Sequence, residues 1–303
     1  MKKFLKIFLI VYLCLCIIGT VSFFAVGNVI FSYALVKRNG TGGYTSEENN
    51  RWVVANSTDK YITSEDGLTL HGHFAENPRS DGKYAVICHG YSGKATAMTR
   101  YAKAIYDMGF SVLCPNSRAH GKSQGTVTGM GYLEKRDVIM WISSILETDP
   151  DAEILLFGVS MGAATMLFAS GEADLPANVK AVVSDCAFTR VYEEFGNVIR
   201  GYVPFLPDFP IVDSASVVCE IRGGYSFRDA SCIEAVKRSS VPTLFIHGSA
   251  DTFVPFYMLD ILYENALCEK EKLVIDGAGH ADAMEANPGL YWSTVENFIN
   301  KYI

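Results

Sequence analysis

The run "ILLFGVSMGAATMLFAS", residues 154–170, holds a serine with a glycine two places to either side: Gly158-Val159-Ser160-Met161-Gly162. G-x-S-x-G suits a nucleophile presented on a strained strand-to-helix turn, where small residues let the backbone crowd. A second run, Gly121-Lys122-Ser123-Gln124-Gly125, has the same letters. A serine hydroxyl is not nucleophilic at neutral pH without a base. The chain has six histidines, so each can be weighed. His280, in "DGAGHADAM", follows the last apolar strand on a glycine-rich loop. The base needs an acid that holds its tautomer and stabilises imidazolium. Asp251, in "HGSADTFVP", lies between Ser160 and His280, giving the chain order Ser, Asp, His. Asp185, after "AVVS", and Asp276, after the last strand, compete for the role. The chemistry implied is acyl transfer through a covalent serine intermediate, with no metal or organic cofactor.

A tetrahedral intermediate also needs backbone N–H donors for its oxyanion. Met161, the residue after the serine, supplies one, and Tyr91 in the loop "CHGYSGK" the other. The remaining histidines read more plainly. His247 lies in the strand "TLFIHG" as a strand-end hydrogen bonder, His89 ends the first core strand, and His120 lies in the loop with Ser123. His71 and His73 share a strand face at i, i+2, but no third metal ligand is apparent. No metal site is expected.

The elements around the two serines separate them. "EILLF" leads straight into Gly158, and "MGAATMLFAS" continues as a helix with a small face. Ser123 sits well past the nearest strand and is followed by "GTVTGMG", which is not helical. Ser160 is the candidate nucleophile and Ser123 a loop residue. Beyond them, apolar strands alternate with helical segments: "KYAVICHG", "FSVLCPN", "AEILLFGVS", "VKAVVSDCAF", "VPTLFIHG" and "EKLVIDG" are the strands. That order predicts an α/β fold, a mostly parallel sheet with helices on both faces. "RWVVANS" and "YITSEDGLTLHGHFAEN" read as an antiparallel edge, the latter turning at Asp66-Gly67. The alternation stops at about 188–240, a Pro- and aromatic-rich stretch with one short helical piece, expected to be a cap over the carboxyl edge of the sheet.

Lys2, Lys3 and Lys6 precede thirty uncharged residues, 7–36, followed by Lys37 and Arg38. A bilayer needs about 20 apolar residues in a helix. The segment reads as a retained single-pass anchor, 1–38, then a linker, 39–50, and a catalytic domain, 51–303. A cleaved signal peptide is the competing reading, with Ala25-Val26-Gly27 and Ser32-Tyr33-Ala34 as usable sites. The lysines ahead of the span favour a cytoplasmic N-terminus and an extracytoplasmic domain in the cell membrane. A net charge of −7 without a basic stripe argues against nucleic-acid binding. The eight cysteines read as free thiols, with a Cys219–Cys232 disulfide as the alternative.

Taken together, "ICHGYSG", "SRAHGKSQG", "GVSMGA", "HGSADTFVP" and "GAGH" resemble the α/β-hydrolase superfamily over residues 50–303, and within it the bacterial N-terminally anchored serine hydrolases. The resemblance implies an α/β-hydrolase fold with a cap. It implies Ser160, Asp251 and His280 as catalytic triad, and Tyr91 and Met161 as oxyanion donors. It favours Asp251 over Asp185. Where many relatives carry Asp at the start of "SRAHG", this chain has Asn116, at a position that reads as structural. The expected substrate is a small-molecule carboxylic ester, lipid-like esters included. The alternatives are a peptidase or amidase of the same fold, with Glu193, Glu194, Asp208 and Glu220 available for a substrate ammonium, and a non-catalytic tethered binding module.

Overall fold

The computed structural model describes residues 2–36 and 51–303. The expected linker and the basic pair Lys37-Arg38 lie outside them. Eight strands form one sheet: β1 (Thr58–Thr63), β2 (Thr69–Ala75), β3 (Lys83–Cys88), β4 (Ser111–Pro115), β5 (Glu153–Val159), β6 (Val179–Asp185), β7 (Thr243–Gly248) and β8 (Lys270–Ile275). Their order is β1-β2-β4-β3-β5-β6-β7-β8. β2 is antiparallel to both of its neighbours, β1 and β4, and the remaining pairs are parallel. This is the α/β-hydrolase fold.

Burial on both faces makes the inner parallel strands largely apolar, as the sequence suggests, whereas the edge strand β8 opens on Lys270, Glu271 and Lys272. Along β5, Ile154 and Leu156 enter one core while Leu155 and Phe157 enter the other. The first core is closed by α4 (Glu134–Leu146), α5 (Met161–Ser170), α8 (Cys232–Arg238) and α9 (Tyr257–Asn265). The second is closed by α3 (Thr99–Asp107), α10 (Ala283–Ala286) and α11 (Pro288–Ile299). The loop after β4 is pinned by Arg118, whose guanidinium grips the buried Asp137 of α4 at 2.7 and 2.8 Å and Asp66 at 2.9 Å.

Three local readings change. "RWVVANS" is not a strand but a short helix, α2 (Arg51–Asn56), packed on α3 through Trp52 and Tyr106. So short an apolar run has no periodicity to separate the two states, and tertiary contact decides. The interruption after β6 is more helical than its prolines suggest. It holds α6 (Val191–Tyr202) and α7 (Asp208–Gly223), with Pro207 just before α7 and Pro210 in its first turn, where the missing N–H costs no helix bond. The last part of the stretch, α8, packs on α5 and α9 as an ordinary crossover helix.

The N-terminal helix, α1 (Lys2–Ala34), is long and apolar enough to cross a membrane. Its first part is exposed from Phe4 to Val21. Its last turns dock on α7. Phe31 and Leu35 are 1% and 0% exposed. A Cβ on Gly27 would meet the Ser214 carbonyl oxygen at 2.3 Å, so only glycine allows this approach. Arg222 of α7 stacks on Phe31 and bonds Asn28 at 2.8 Å. The amide of Thr128 donates to the Leu35 carbonyl at 2.8 Å.

Candidate active site

β5 runs directly into Ser160, which takes φ 57° and ψ −121°, a left-handed backbone that a non-glycine residue rarely adopts. What holds it there is crowding. A Cβ on Gly158 would lie 2.2 Å from the Gly162 carbonyl oxygen, and one on Gly162 would lie 2.2 Å from that of Cys88. Both glycines are required by backbone contact, and α5 packs close against the end of β3.

The Ser160 hydroxyl is 2.9 Å from His280 Nε2, and His280 Nδ1 is 2.7 Å from Asp251 Oδ2. An Nδ1–H donating to the carboxylate leaves Nε2 free to accept the serine proton. Asp251 Oδ1 accepts the amides of Phe253 and Val254, both at 3.0 Å, so this carboxylate also caps the turn that leads to α9. Its other oxygen has a second partner that the sequence reading missed. His247 Nε2 lies 3.1 Å from Asp251 Oδ2 and 3.0 Å from the Val254 carbonyl. Burial pushes the Asp251 carboxyl up, but hydrogen bonds from His247 and His280 outweigh it and hold it down to about 2. The competing acids are engaged elsewhere. Asp185 accepts from Tyr291 Oη at 2.8 Å and is pushed up to about 6 by burial. Asp276 accepts from Ser249 at 2.9 Å on the surface.

The two expected oxyanion residues flank Ser160 in one cavity. Met161 opens α5, where amides have no intrahelical acceptor. Tyr91 follows Gly90, whose Cα faces the Ser160 side chain closely enough that an added Cβ would touch it at 3.4 Å. His89 braces this loop. Its Nδ1–H donates to the Gly90 carbonyl at 2.8 Å, and its Nε2 accepts the Ser117 amide at 3.1 Å. Burial lowers its pKa to about 3, which keeps the ring neutral as this pairing requires.

Ser123, the other serine of the pattern, is a buried brace. It accepts the His71 amide at 2.9 Å and donates to the Asn116 carbonyl at 2.7 Å. Asn116 Oδ1 accepts the Ala95 amide, so its Nδ2 donates to His71 Nδ1 at 2.7 Å. That places the His71 proton on Nε2, within ion-pair range of Asp59 at 3.1 Å although off line for a full hydrogen bond. Asp59 is thus the third group beside His71 and His73 that the sequence did not reveal. A protonated Nε2 cannot ligate a metal, and Lys122 already neutralises Asp59 at 2.6 Å. All the cysteines in the described residues are free thiols, Cys219 and Cys232 included.

A cavity of about 380 Å³ opens above Ser160, within the size range of small-molecule sites. Its walls are almost wholly apolar. α6 supplies Phe195, Val198 and Ile199, and α1 supplies Val29, Ile30 and Ala34. The exception is Glu194, whose carboxyl oxygens are buried without a hydrogen-bond partner among the described residues. Burial, with a smaller push from Asp251, raises it to about 8.

Residues 86–196 match the family model of the alpha/beta hydrolase fold. The protein YqkD of Bacillus subtilis is 28% identical over 267 residues, 88% of this chain and 86% of its own length. The alpha/beta hydrolase domain-containing protein WAV2 of Arabidopsis thaliana is 23% identical over 250 residues, 80% and 79% of the two chains. Among solved structures, the Pyrococcus furiosus esterase Pf2001 superposes with a TM-score of 0.70 at 23% identity, covering 88% of this chain and 98% of that one. The acylaminoacyl peptidase of Pyrococcus horikoshii gives 0.57 at 18% identity, covering 80% and 40%. The chain has the α/β-hydrolase fold.

Proposed function

We propose that the protein is a membrane-anchored serine hydrolase that cleaves carboxylic esters through an acyl-enzyme on Ser160. The observation that carries this reading is the continuous chain of hydrogen bonds from Ser160 through His280 to Asp251, at 2.9 and 2.7 Å. Ser160 Oγ attacks the acyl carbon as His280 Nε2 takes its proton. The oxyanion is held by the amides of Met161 and Tyr91. His280 then returns the proton to the leaving alcohol, and water repeats the sequence in reverse. Asp251 stays ionised throughout and stabilises the imidazolium.

Retention of α1 is part of the proposal. Cleavage after Ala34 would strip buried Phe31 from the domain along with the cavity wall made by Val29, Ile30 and Ala34, while cleavage after Gly27 would leave these in place and sever only the close approach of Gly27 to Ser214. The extracytoplasmic placement of the domain rests on the lysines ahead of the span. A fluorophosphonate probe should label the wild type and Ser123→Ala but not Ser160→Ala. Labelling that survives Ser160→Ala would overturn the assignment.

An amidase or peptidase is the second reading, and Glu194 is the observation that bears on it. Of the four cap acids, Glu193 is paired with Arg190, Asp208 with Arg200, and Glu220 is exposed away from the cavity lining, which leaves Glu194 in the cavity. A carboxyl raised to about 8 is protonated at neutral pH, which suits an apolar acyl group better than an ammonium. Relative turnover of p-nitrophenyl acyl esters and aminoacyl anilides separates the two.

A further inference from the structure

The mouth of the cavity is built from residues that are both lining and exposed: Val29 and Tyr33 of α1, Tyr91, Tyr202 at the end of α6 and Phe253. The helix whose first part looks like a membrane span is therefore also a wall of the reaction chamber. The cap adds a second apolar feature on the same side. The connection between α6 and α7 and the start of α7 display Phe205 and Phe209, 85% and 72% exposed. Phe209 and Pro210 lie against Gly19, Phe23 and Val26 of α1 across a shallow cleft. These α1 residues belong to the stretch that would cross the bilayer.

The lengths agree. A hydrocarbon core of about 30 Å takes about 20 helical residues. Counted from Ile7, just past Lys6, that reaches Val26. Phe209 is then level with the last two turns inside the hydrocarbon. Val29 is one turn beyond, at the level of the headgroups. Tyrosine favours that boundary, which suits Tyr202 at the mouth, and phenylalanine serves on the apolar face of interfacial segments. A water-soluble substrate gives no reason to place large exposed aromatics and the chamber mouth there.

We infer that the cavity above Ser160 opens toward the bilayer between α1 and α6, with Phe205 and Phe209 seated in the lipid boundary, and that its substrate is a membrane-resident amphiphile whose acyl chain slides in along α1. This rests on the ester-hydrolase reading of Ser160 and on α1 as a span. The apolar walls hold the chain, and the ester carbonyl stops at Ser160 beneath them. Glu194, neutral when protonated, leaves the chamber uncharged.

The test uses the full chain in phosphatidylcholine vesicles. Phe205→Trp and Phe209→Trp should each be quenched by brominated phosphatidylcholine beyond the quenching of the wild-type tryptophans. Quenching equal to wild type would overturn the placement, as it would if the aromatics served a protein partner. Val29→Trp narrows the mouth at an exposed position, so folding is spared, and labelling of Ser160 by a small fluorophosphonate verifies this. Turnover of vesicle-borne p-nitrophenyl palmitate should fall by about tenfold or more relative to p-nitrophenyl acetate. An unchanged palmitate-to-acetate ratio would overturn the acyl route. Ester turnover that persists in Ser160→Ala would instead sink the ester-hydrolase reading, while the quenching arm would still report on the placement.

Discussion

Two histidines share the carboxylate of Asp251, and only one of them faces Ser160. On the proposed mechanism, His247 is a positioning residue that fixes the acid while His280 swings through its protonation cycle. Asp251→Asn should lower kcat by roughly 10⁴-fold by misdirecting the His280 tautomer. His247→Gln should lower kcat less, with KM unchanged, in steady-state assays on a short ester. Glu194 makes the opposite kind of demand. Its folded pKa of about 8 stands above the ordinary value of 4.5, so between those values the folded protein holds a proton that the unfolded chain releases. Stability must fall as pH rises through that window. Glu194→Gln should remove the Glu194 share of the slope and raise stability at pH 9 by on the order of a few kcal/mol, read by urea titration at pH 5 and pH 9.

At the scale of elements, the elbow and the Arg118 clamp are the rigid parts. Gly162→Ala sets a methyl against the Cys88 carbonyl, and neither backbone can yield without parting α5 from β3. A loss above about 4 kcal/mol is expected, measured by thermal denaturation. Arg118→Ala strands the buried Asp137 and should cost about 3–5 kcal/mol. These scales also show what a sequence can and cannot disclose. The elbow was legible because a strand, two glycines, a serine and a helix are local features. Asp251 and His280 were legible through chain order and strand ends. α6 and α7 were hidden because prolines that begin a helix look the same as prolines that break one. The docking of α1 was hidden for a different reason. Gly27, Phe31 and Leu35 do follow a helical period of four, but in a helix that is apolar all round one stripe does not stand out. The orphan carboxyl of Glu194 and the second contact of Asp251 depend on three-dimensional neighbours alone.

At the scale of the molecule, α1 joins three things that usually stay apart: a candidate span, a cap contact and a chamber wall. A fragment starting near Asn50 loses all three. It should expose Val212, Ala215 and Val218 of α7, aggregate more readily and melt lower than a fragment starting near Phe24, as light scattering and calorimetry would record. The hydroxyl of Tyr91, in the proposed oxyanion loop, donates to the Ala34 carbonyl near the end of α1. The candidate span and the proposed oxyanion loop are thereby bolted together. A tethered enzyme is usually pictured as a weight on a string, sweeping a volume set by the length of the string. Here the docked helix is a post, and the height and tilt of the reaction chamber are set by the post. On the proposed reading of α1 as a span and Ser160 as nucleophile, adding residues within 39–50 would change neither reach nor selectivity, and the enzyme would harvest only what drifts past in its own leaflet.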